Sequence, residues 1–571
     1  MSDDKIERAA PRLPKFQRFQ RFHRALRWVI GLLSVGLGLW VLNAAFVRWT
    51  RIEPPAEAGK ILKGMAKPPM ESRGARTYLG QSWAGRERGL WEYHLGGDPV
   101  TIGYAHARLG THLMIETEEY MFGEFRHYVP SQAARFLIRT GVLFQYRNLL
   151  NHVSMPHQLE LAGVAAGQPD LHGDFMPIFH RIMFYHALHD ITQTLEHSPL
   201  LGCTGFAASG SATTDAALII GRNFDFEGPP LFDREKAVLF FRPTGKLAFA
   251  SVAWTGMTGA VTGINAAGVY ASVNALRSTD KSKGGVPVEL LLREVLETAH
   301  TLDEAIELVK RSPVLVPDLY LLGDGKSGES AVVERTPLRS AVRRSRDVLA
   351  VANHAISPEF QADPENERLK SYLTSGARMG RIEELLAQNR GKIDAGMAVE
   401  MLRDKRGVGG KVLGLGNRNA IDALIATHSV VVDATHMILW VGLGPHALGE
   451  YVAFDLRHEL LDEPRRAAPD FLADPTLKTN EYRDFVLAGK ELEVSQILEK
   501  RGEKDRAIEE AARAVELAPL LPEARKRLAD LLYKRASGED RAAARKHYET
   551  FLNLSPPYRR EIEEVQALLA K

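Results

Sequence analysis

Apolar positions change texture several times along the chain. The first texture is an unbroken run from Trp28 to Val47, WVIGLLSVGLGLWVLNAAFV. It carries no charge and is about 20 residues long, enough to cross a bilayer as a helix. Between residues 48 and 74, Pro54, Pro55, Pro68 and Pro69 are interleaved with charged and small residues, which predicts a tether. From 75 to 202 apolar residues recur at helical spacing, as in EEYMFGEFRHYV, QAARFLIRTGVLFQYRNLL and FMPIFHRIMFYHALHDITQTL. At Cys203 the pattern shifts to short apolar runs separated by turns rich in Gly and Asn. DAALIIGRNFDF, AVLFFRP, KLAFASVAW, DLYLLGDG and HSVVVDATHMILWVGLG read as strands and hairpins. Two helical patterns interrupt them, VELLLREVLETAHTLDEAIELVKR and GARMGRIEELLAQNR. Strands, helices, then further strands over 203–460 predict a layered α+β fold. A second linker covers 461–487, and a charged helical tail follows from 488 to 571.

Charge adds an orientation to the apolar run. Lys5, Arg8, Arg12, Lys15, Arg18, Arg21, Arg24 and Arg27 precede it, opposed only by Asp3, Asp4 and Glu7. A basic flank of this kind holds residues 1–27 in the cytoplasm and sends the rest of the chain across the membrane, to a periplasmic or extracellular space. A cleaved signal peptide is the rival reading, but the run exceeds the usual apolar core of about 7–15 residues and Asn43-Ala44-Ala45 is a poor cleavage site. No later segment is apolar for long enough to span, so a single-pass protein is expected. A formal net charge of +2 argues against nucleic acid as a partner.

The chain has one cysteine, Cys203, at the point where helical texture gives way to strands. A lone cysteine is compatible with a buried small apolar side chain, with an intermolecular disulfide, or with a nucleophile. It excludes zinc sites built on paired cysteines. The histidines do not fall at metal-ligand spacing, no HExxH occurs, and GVGGKVLGLGN lacks the lysine and Ser/Thr order of a phosphate loop. No metal and no cofactor is expected.

The surroundings favour the nucleophile. Gly202-Cys203-Thr204, a first hairpin and then GRNFDF resemble the start of the mature chain in the penicillin acyltransferase and choloylglycine hydrolase group. These are N-terminal-nucleophile enzymes with an αββα sandwich. The penicillin acyltransferase-like branch, peptidase family C45, is the nearer one, because a helical segment precedes the cysteine and LELAGVAAG, from Leu159 to Gly167, resembles part of that branch's pro-region. The resemblance implies self-cleavage between Gly202 and Cys203, with 75–202 as pro-segment or α chain and 203–460 as catalytic β chain. Physical chemistry agrees with such a scheme. Cleavage creates an α-amine of pKa about 7.7–8.0 on the residue that carries a thiol of pKa about 8.5, close enough to exchange a proton near neutral pH.

The same resemblance assigns further residues. In GRNFDF, Asp225 would hold the new ammonium and Arg222 would sit near the thiol and favour its anion. Strand alternation places Asn223 and Asp225 on one face and Arg222 on the other. Asn274, in GINAAGVYASVNAL, and Asn353, in DVLAVANHAISP, correspond to oxyanion-binding amides. Arg378, in TSGARMGRIEELL, corresponds to an arginine that pairs with site carboxylates or fixes Cys203. Arg381 lies one turn further on, and Gly376 stands where the family often has a serine. The implied activity is amidohydrolysis of a small-molecule, linear acyl-amide through an acyl-enzyme, or transfer of that acyl group to an amine. A membrane-tethered interaction protein with an inert enzyme domain is the reading from another class. In the tail, RAIEEAARAVELAP and AAARKHYETFLNLSP resemble tetratricopeptide repeats with a short insertion at Ser537-Gly538, implying helices that pack on the catalytic domain, on each other or on a protein partner.

Overall fold

Short β-branched and aromatic runs with glycine turns build the two sheets at the centre of the molecule. The structure is a computed structural model that describes residues 15–193, 201–226, 230–282, 284–535 and 538–570. The chain divides into two units, residues 1–53 with 128–148, and residues 54–127 with 149–571.

The smaller unit is helical. Its helix Lys15–Thr50 starts well before the apolar run. Over Phe22–Thr50 it is long and apolar enough to cross a membrane, with a mean hydropathy of 2.0 in its most apolar window and none of that window buried. Of the expected basic flank, Lys5, Arg8 and Arg12 lie outside the described residues. A second helix, Gln132–Gln145, is capped by Ser131, whose Oγ accepts from the Ala134 N–H at 3.3 Å. Phe144 of this helix meets Trp49 with ring centroids 6.0 Å apart.

The larger unit is a layered α/β sandwich. The expected tether ends in a strand, β1 (Glu71–Arg73), and the stretch from 75, expected to be helical, opens instead with three more: β2 (Arg76–Leu79), β3 (Ser82–Glu87) and β4 (Leu90–Gly97). They are short and carry Arg76, Arg86 and Glu87. Gly74, Gly80 and Gly89 turn the chain between them at positive φ, so no sustained apolar pattern marks them in the sequence. Then follow β5 (Leu201–Gly210), β6 (Ala216–Phe226), β7 (Lys236–Pro243), β8 (Phe249–Trp254), β9 (Thr262–Asn265) and β10 (Val269–Ala275). The remainder are β11 (Asp318–Asp324), β12 (Glu329–Arg335), β13 (Ser340–Ser345), β14 (Val348–Val351), β15 (Ala426–Asp433), β16 (Ile438–Gly442) and β17 (Tyr451–Asp455).

One sheet has eleven strands in the order β1-β2-β3-β4-β7-β8-β9-β10-β11-β12-β13, the other six in the order β14-β5-β6-β15-β16-β17. Every pairing is antiparallel except β4 with β7, where Trp91 to Gly97 run beside Ala237 to Pro243. Leu218 and Ile220 of the small sheet share a core with Val238, Phe240 and Leu321 of the large one, which places that core between the sheets. Helices Val288–Thr298 and Leu302–Arg311 cover the other face of the large sheet. Helices Ser375–Gln388 and Ala395–Leu402 cover the other face of the small sheet.

Upstream helices are keyed to this sandwich by glycine and by buried charge. Helix Pro99–Leu109 crosses helix Met155–Gly167, the LELAGVAAG segment, at glycines. A Cβ on Gly103 would lie 1.9 Å from the Glu160 carbonyl oxygen, and one on Gly163 would lie 2.3 Å from that of Val100. Backbone cannot yield to such contacts without opening the crossing. Gly103→Val should therefore cost about 3 kcal/mol or more, at the top of the overpacking range. Chemical unfolding measures it, and a midpoint within error of wild type would refute the close crossing. Nearby, Arg293 reaches Glu160 at 2.8 Å and Glu297 at 2.7 Å, all fully buried, and also donates to the Thr258 carbonyl. His157, Glu294 and Glu297 have metal-ligand spacing, but Lys246 already pairs with both carboxylates, at 3.5 and 3.1 Å.

The tail contains helices Asn480–Lys500, Lys504–Leu517, Pro522–Arg535, Gly538–Asn553 and Arg559–Leu569. The one or two tetratricopeptide-like units expected here are not seen as repeats among the described residues. The helices share one small core containing Ala507, Ala511, Leu528 and Phe551, without an extended repeat stack. Ser537, part of the expected insertion, lies outside the described residues. Short helical units cannot bury their apolar faces alone. Here they also lean on the sandwich: Asn417 donates to the Leu554 and Ser555 carbonyls at 3.4 and 3.2 Å, and Phe485 packs against Gly416.

Candidate active site

The hairpin of β5 and β6 sets the site. Cross-strand register pairs Cys203 with Phe224 and Gly202 with Asp225. Alternation then sorts the side chains by face. Arg222 shares a face with Cys203 and brings Nη2 to 3.8 Å from Sγ. Asn223 points the opposite way and donates to the Leu402 carbonyl at 2.9 Å. Asp225, on that same opposite face, is buried beside Gly202 and Arg378.

The expected site residues outside the hairpin, Asn274, Asn353 and Arg378, each come to it from a different element. Asn353 follows β14, and its Oδ1 accepts the Cys203 N–H at 2.8 Å. The same oxygen accepts from Arg378 Nη2 at 2.7 Å. Arg378, on helix Ser375–Gln388, also donates to the Cys203 carbonyl and, at 2.9 Å, to Thr204 Oγ1. Arg378 rather than Arg381 reaches the cysteine; Arg381 pairs with Asp404 at 2.8 Å. The register at Gly376 has a steric cause, because a Cβ there would lie 2.5 Å from the Lys370 carbonyl oxygen. Asn274, on β10, accepts from Arg222 Nε at 3.4 Å and donates to the Ala352 carbonyl at 2.8 Å. Asn353 Nδ2 likewise donates to the Ala275 carbonyl at 3.0 Å. In the intact chain both amide nitrogens thus hold backbone, and the oxygen of Asn353 faces the cysteine nitrogen. A Cβ on Gly202 would make ordinary contacts of 3.5 Å and longer, so packing does not require glycine there.

Cys203 is fully buried. Burial pushes its thiol pKa up and Asp225 adds to the rise, while Arg222 and Arg378 oppose it. The thiol in the uncut chain is therefore protonated near neutral pH, and its nearest help is cationic. Arg222 is itself held by the Val273 carbonyl, Thr262 Oγ1 and His428 Nε2. His428 was not visible as a site residue in the sequence: it begins an apolar run, and only the fold stacks it on Phe224 at 5.1 Å with an interplanar angle of 9°. Burial holds His428 far below its usual pKa, so a neutral ring accepts from Arg222. Ser375 was missed for a similar reason. Its Oγ accepts the Asn353 N–H at 2.8 Å and orients that residue from a helix start.

Two cavities flank the cysteine strand. One, of about 160 Å³, is mainly apolar and is lined by Phe224, Phe226, Phe232, Trp254, Met257 and Val261 among others. The other, of about 60 Å³, is more polar and touches Gly202, Asn353 and Arg378. Thr192 lines both.

Beside Thr192 lies a buried acid group. Asp190 accepts the Val288 N–H at 3.2 Å, and Asp318 accepts from Gln193 at 2.8 Å. Burial pushes Asp190 up to about 8 and also raises Glu289 and Asp318. The folded chain thus keeps a proton that the unfolded chain releases near pH 3.9. Stability from this group is full at low pH and is lost as pH rises from about 4 to about 8. Asp190→Asn, which keeps the acceptor, should flatten the fall of Tm across that window; an identical slope in both proteins would count against the protonated acid.

Residues 212–413 match the profile of the family described as acyl-coenzyme A:6-aminopenicillanic acid acyl-transferase. That match covers about a third of the chain, the part that runs from just after β5 to the segment before β15. An uncharacterized protein of Archaeoglobus fulgidus is 27% identical over 338 residues, which is 53% of this chain and 54% of that one. The N-acylethanolamine-hydrolyzing acid amidase of Caenorhabditis elegans is 27% identical over 144 residues, 24% of this chain and 40% of that one. The chain thus spans about half the length of the curated relatives it matches. Among solved structures, the Caenorhabditis elegans ortholog of that amidase covers 41% of this chain and 93% of its own, at 19% identity and a TM-score of 0.31. A variant of the conjugated bile acid hydrolase from Clostridium perfringens covers 48% of this chain and 98% of its own, at 16% identity and a TM-score of 0.33.

Proposed function

We propose that the protein is a self-processing cysteine N-terminal-nucleophile amidohydrolase that cleaves a linear acyl-amide through an acyl-enzyme on Cys203. One observation carries the reading: polar side chains converge on both functional atoms of Cys203. Asn353 Oδ1 lies 2.8 Å from its nitrogen, and Arg222 Nη2 lies 3.8 Å from its sulfur. A structural cysteine needs neither.

In processing, Sγ attacks the Gly202 carbonyl carbon, the C–N bond to Cys203 breaks, and the thiol proton passes to the freed amine. Water then hydrolyses the Gly202 thioester and leaves a carboxylate. In turnover, Sγ attacks the substrate carbonyl, and the α-amine takes the thiol proton and hands it to the departing amine. Water releases the acyl group as an acid; a second amine in place of water would make the enzyme an acyltransferase. Asn353 Oδ1 and Asp225 hold the α-ammonium. Arg222 stabilises the thiolate, and Asn274 Nδ2 gives one hydrogen to the Ala352 carbonyl and its second to the oxyanion. Arg378 holds the Cys203 carbonyl and Asn353 in register. The apolar cavity beside Phe224 takes the acyl chain. The helix Lys15–Thr50 anchors the chain with its N-terminus in the cytoplasm and the catalytic domain outside.

Intact mass spectrometry tests the reading. Incubation with a p-nitroanilide of a fatty acid should add one acyl mass to a fragment that begins at Cys203, with equimolar nitroaniline released as a burst. Release without a Cys203 adduct would sink it.

A further inference from the structure

One helix carries an apolar surface that the chemistry at Cys203 leaves unused. It is Gln132–Gln145 of the smaller unit, the helix capped by Ser131. Phe136, Leu137, Ile138 and Phe144 are all exposed on it, Leu137 by 67%, and Tyr128 ahead of it is exposed as well. Three consecutive large apolar residues left bare are costly in water, and the cost disappears only when something apolar covers them. Phe136, Leu137 and Phe144 fall within about 100° of one another around the helix axis, so they form one face.

The charge of this segment is one-sided. Residues 128–148 hold Arg135, Arg139 and Arg147 and no Asp or Glu. Arg135 donates to the Val129 and Pro130 carbonyls at 2.7 and 2.8 Å, and Arg147 to the Phe144 carbonyl at 2.5 Å. Neutral carbonyls position these guanidinium groups and leave their charge in place. A basic helix with an aromatic and aliphatic face has the composition of one that lies in a membrane interface.

The neighbouring helix decides what covers this face. Phe144 meets Trp49 with ring centroids 6.0 Å apart, and the Arg147 guanidinium lies 5.1 Å from the centroid of the Trp49 ring. Arg139 lines a cavity with Asn43, Ala44, Val47 and Arg48. Gln132–Gln145 therefore lies beside the last two turns of Lys15–Thr50, where that helix leaves the bilayer if it spans. A tryptophan such as Trp49 is enriched at that boundary. The apolar window of the long helix is bare as well, so both helices of this unit leave apolar surface uncovered. A second copy of the chain on a two-fold axis would set the same arginines against one another, whereas lipid phosphates suit them.

We propose that helix Gln132–Gln145 is a second membrane contact, seated in the outer headgroup layer beside the end of the span, with Phe136, Leu137 and Phe144 at the acyl boundary and Arg135 and Arg139 toward lipid phosphates. This rests on the anchor reading above and goes beyond it. The chain returns to the bilayer between residues 127 and 149, and the span is not its only hold.

Spin labels test it on the full-length Cys203→Ala chain, which has no other thiol. Leu37→Cys places a nitroxide in the span, Leu137→Cys on the helix, and Leu472→Cys at an exposed position outside this unit. The protein is held in nanodiscs of phosphatidylcholine and phosphatidylglycerol in equal parts. Collisions of each label with oxygen, which concentrates in lipid, and with a water-soluble nickel chelate are then measured. The oxygen-to-nickel ratio at Leu37 and Leu137 should be several-fold above that at Leu472. Arg135→Glu with Arg139→Glu should move the Leu137 label toward the nickel reagent without moving the Leu37 label; an unchanged ratio at Leu137 overturns the phosphate contacts. A Leu137 label that matches Leu472 while Leu37 reads as lipid overturns the proposal and leaves the anchor standing. A Leu137 label shielded from both reagents does the same, and shows the face covered by protein such as a second copy. A Leu37 label that reads as water overturns the anchor reading, and this proposal with it.

Discussion

The Cys203→Ala chain is expected to run as one uncut species on a denaturing gel, whereas wild type should give two, one ending at Gly202 and one beginning at Cys203. This is the largest effect we expect from any single substitution. It removes the only thiol in the chain, and among the described residues no other group meets the Asn353 oxygen and the Arg222 guanidinium together. Amide hydrolysis should fall by about 10³-fold or more, since what remains is binding and oxyanion stabilisation. The side chain is fully buried and small, so its truncation costs little packing. A folded Cys203→Ala protein is therefore expected, and its melting curve separates lost chemistry from lost structure. Two fragments from the alanine chain, or one uncut wild-type chain with full activity, would refute self-processing at this bond.

The second large effect is on stability. Arg293→Met removes the cation that sits between Glu160 and Glu297 and leaves two carboxylates buried without it. Breaking one side of such a cluster costs about 3–5 kcal/mol. His157 at 3.2 Å and Lys246 at 3.1 Å still reach Glu297, so Glu160 carries most of the penalty. Adding Glu160→Leu to Arg293→Met should then recover a good part of the loss, because an apolar pair no longer strands a charge. Urea unfolding of the three proteins checks this. A double variant no more stable than Arg293→Met alone would show that the cost lies elsewhere, for instance in the lost cation–π contacts of Arg293 with Phe241 and Phe249 at 4.2 and 4.8 Å.

Much of the site could be read in the sequence because its residues sit in short segments with strong local pattern. GRNFDF alternates cleanly, and strand geometry alone separates Arg222 from Asp225 by face. The amides of Asn274 and Asn353 stand at or just beyond strand ends and carry the same kind of signal. What escaped depends on long-range register. His428 meets Arg222 only because β15 pairs with β6, and nothing next to His428 in the chain announces that. Tyr558 follows Pro556 and Pro557 after the last repeat-like helix pattern, and its place in the wall of the smaller cavity depends on the way the tail folds back. β1 to β4 failed for another reason. They are brief, partly exposed and charged, and their partners are one another and β7 rather than anything nearby in the helical stretch they precede.

The pairing of β4 with β7 crosses the Gly202–Cys203 bond: β4 lies before it and β7 after it. The Gly103–Gly163 crossing and the Arg293–Glu160 ion pair tie the upstream segment together and to the downstream one in the same way. Breaking that one bond would therefore create two polypeptides but not two particles. Size-exclusion chromatography under native conditions would report a single mass, and the break would appear only on unfolding. Two separate genes, one ending at codon 202 and one starting at codon 203, could supply the halves and let them assemble into the same sheet.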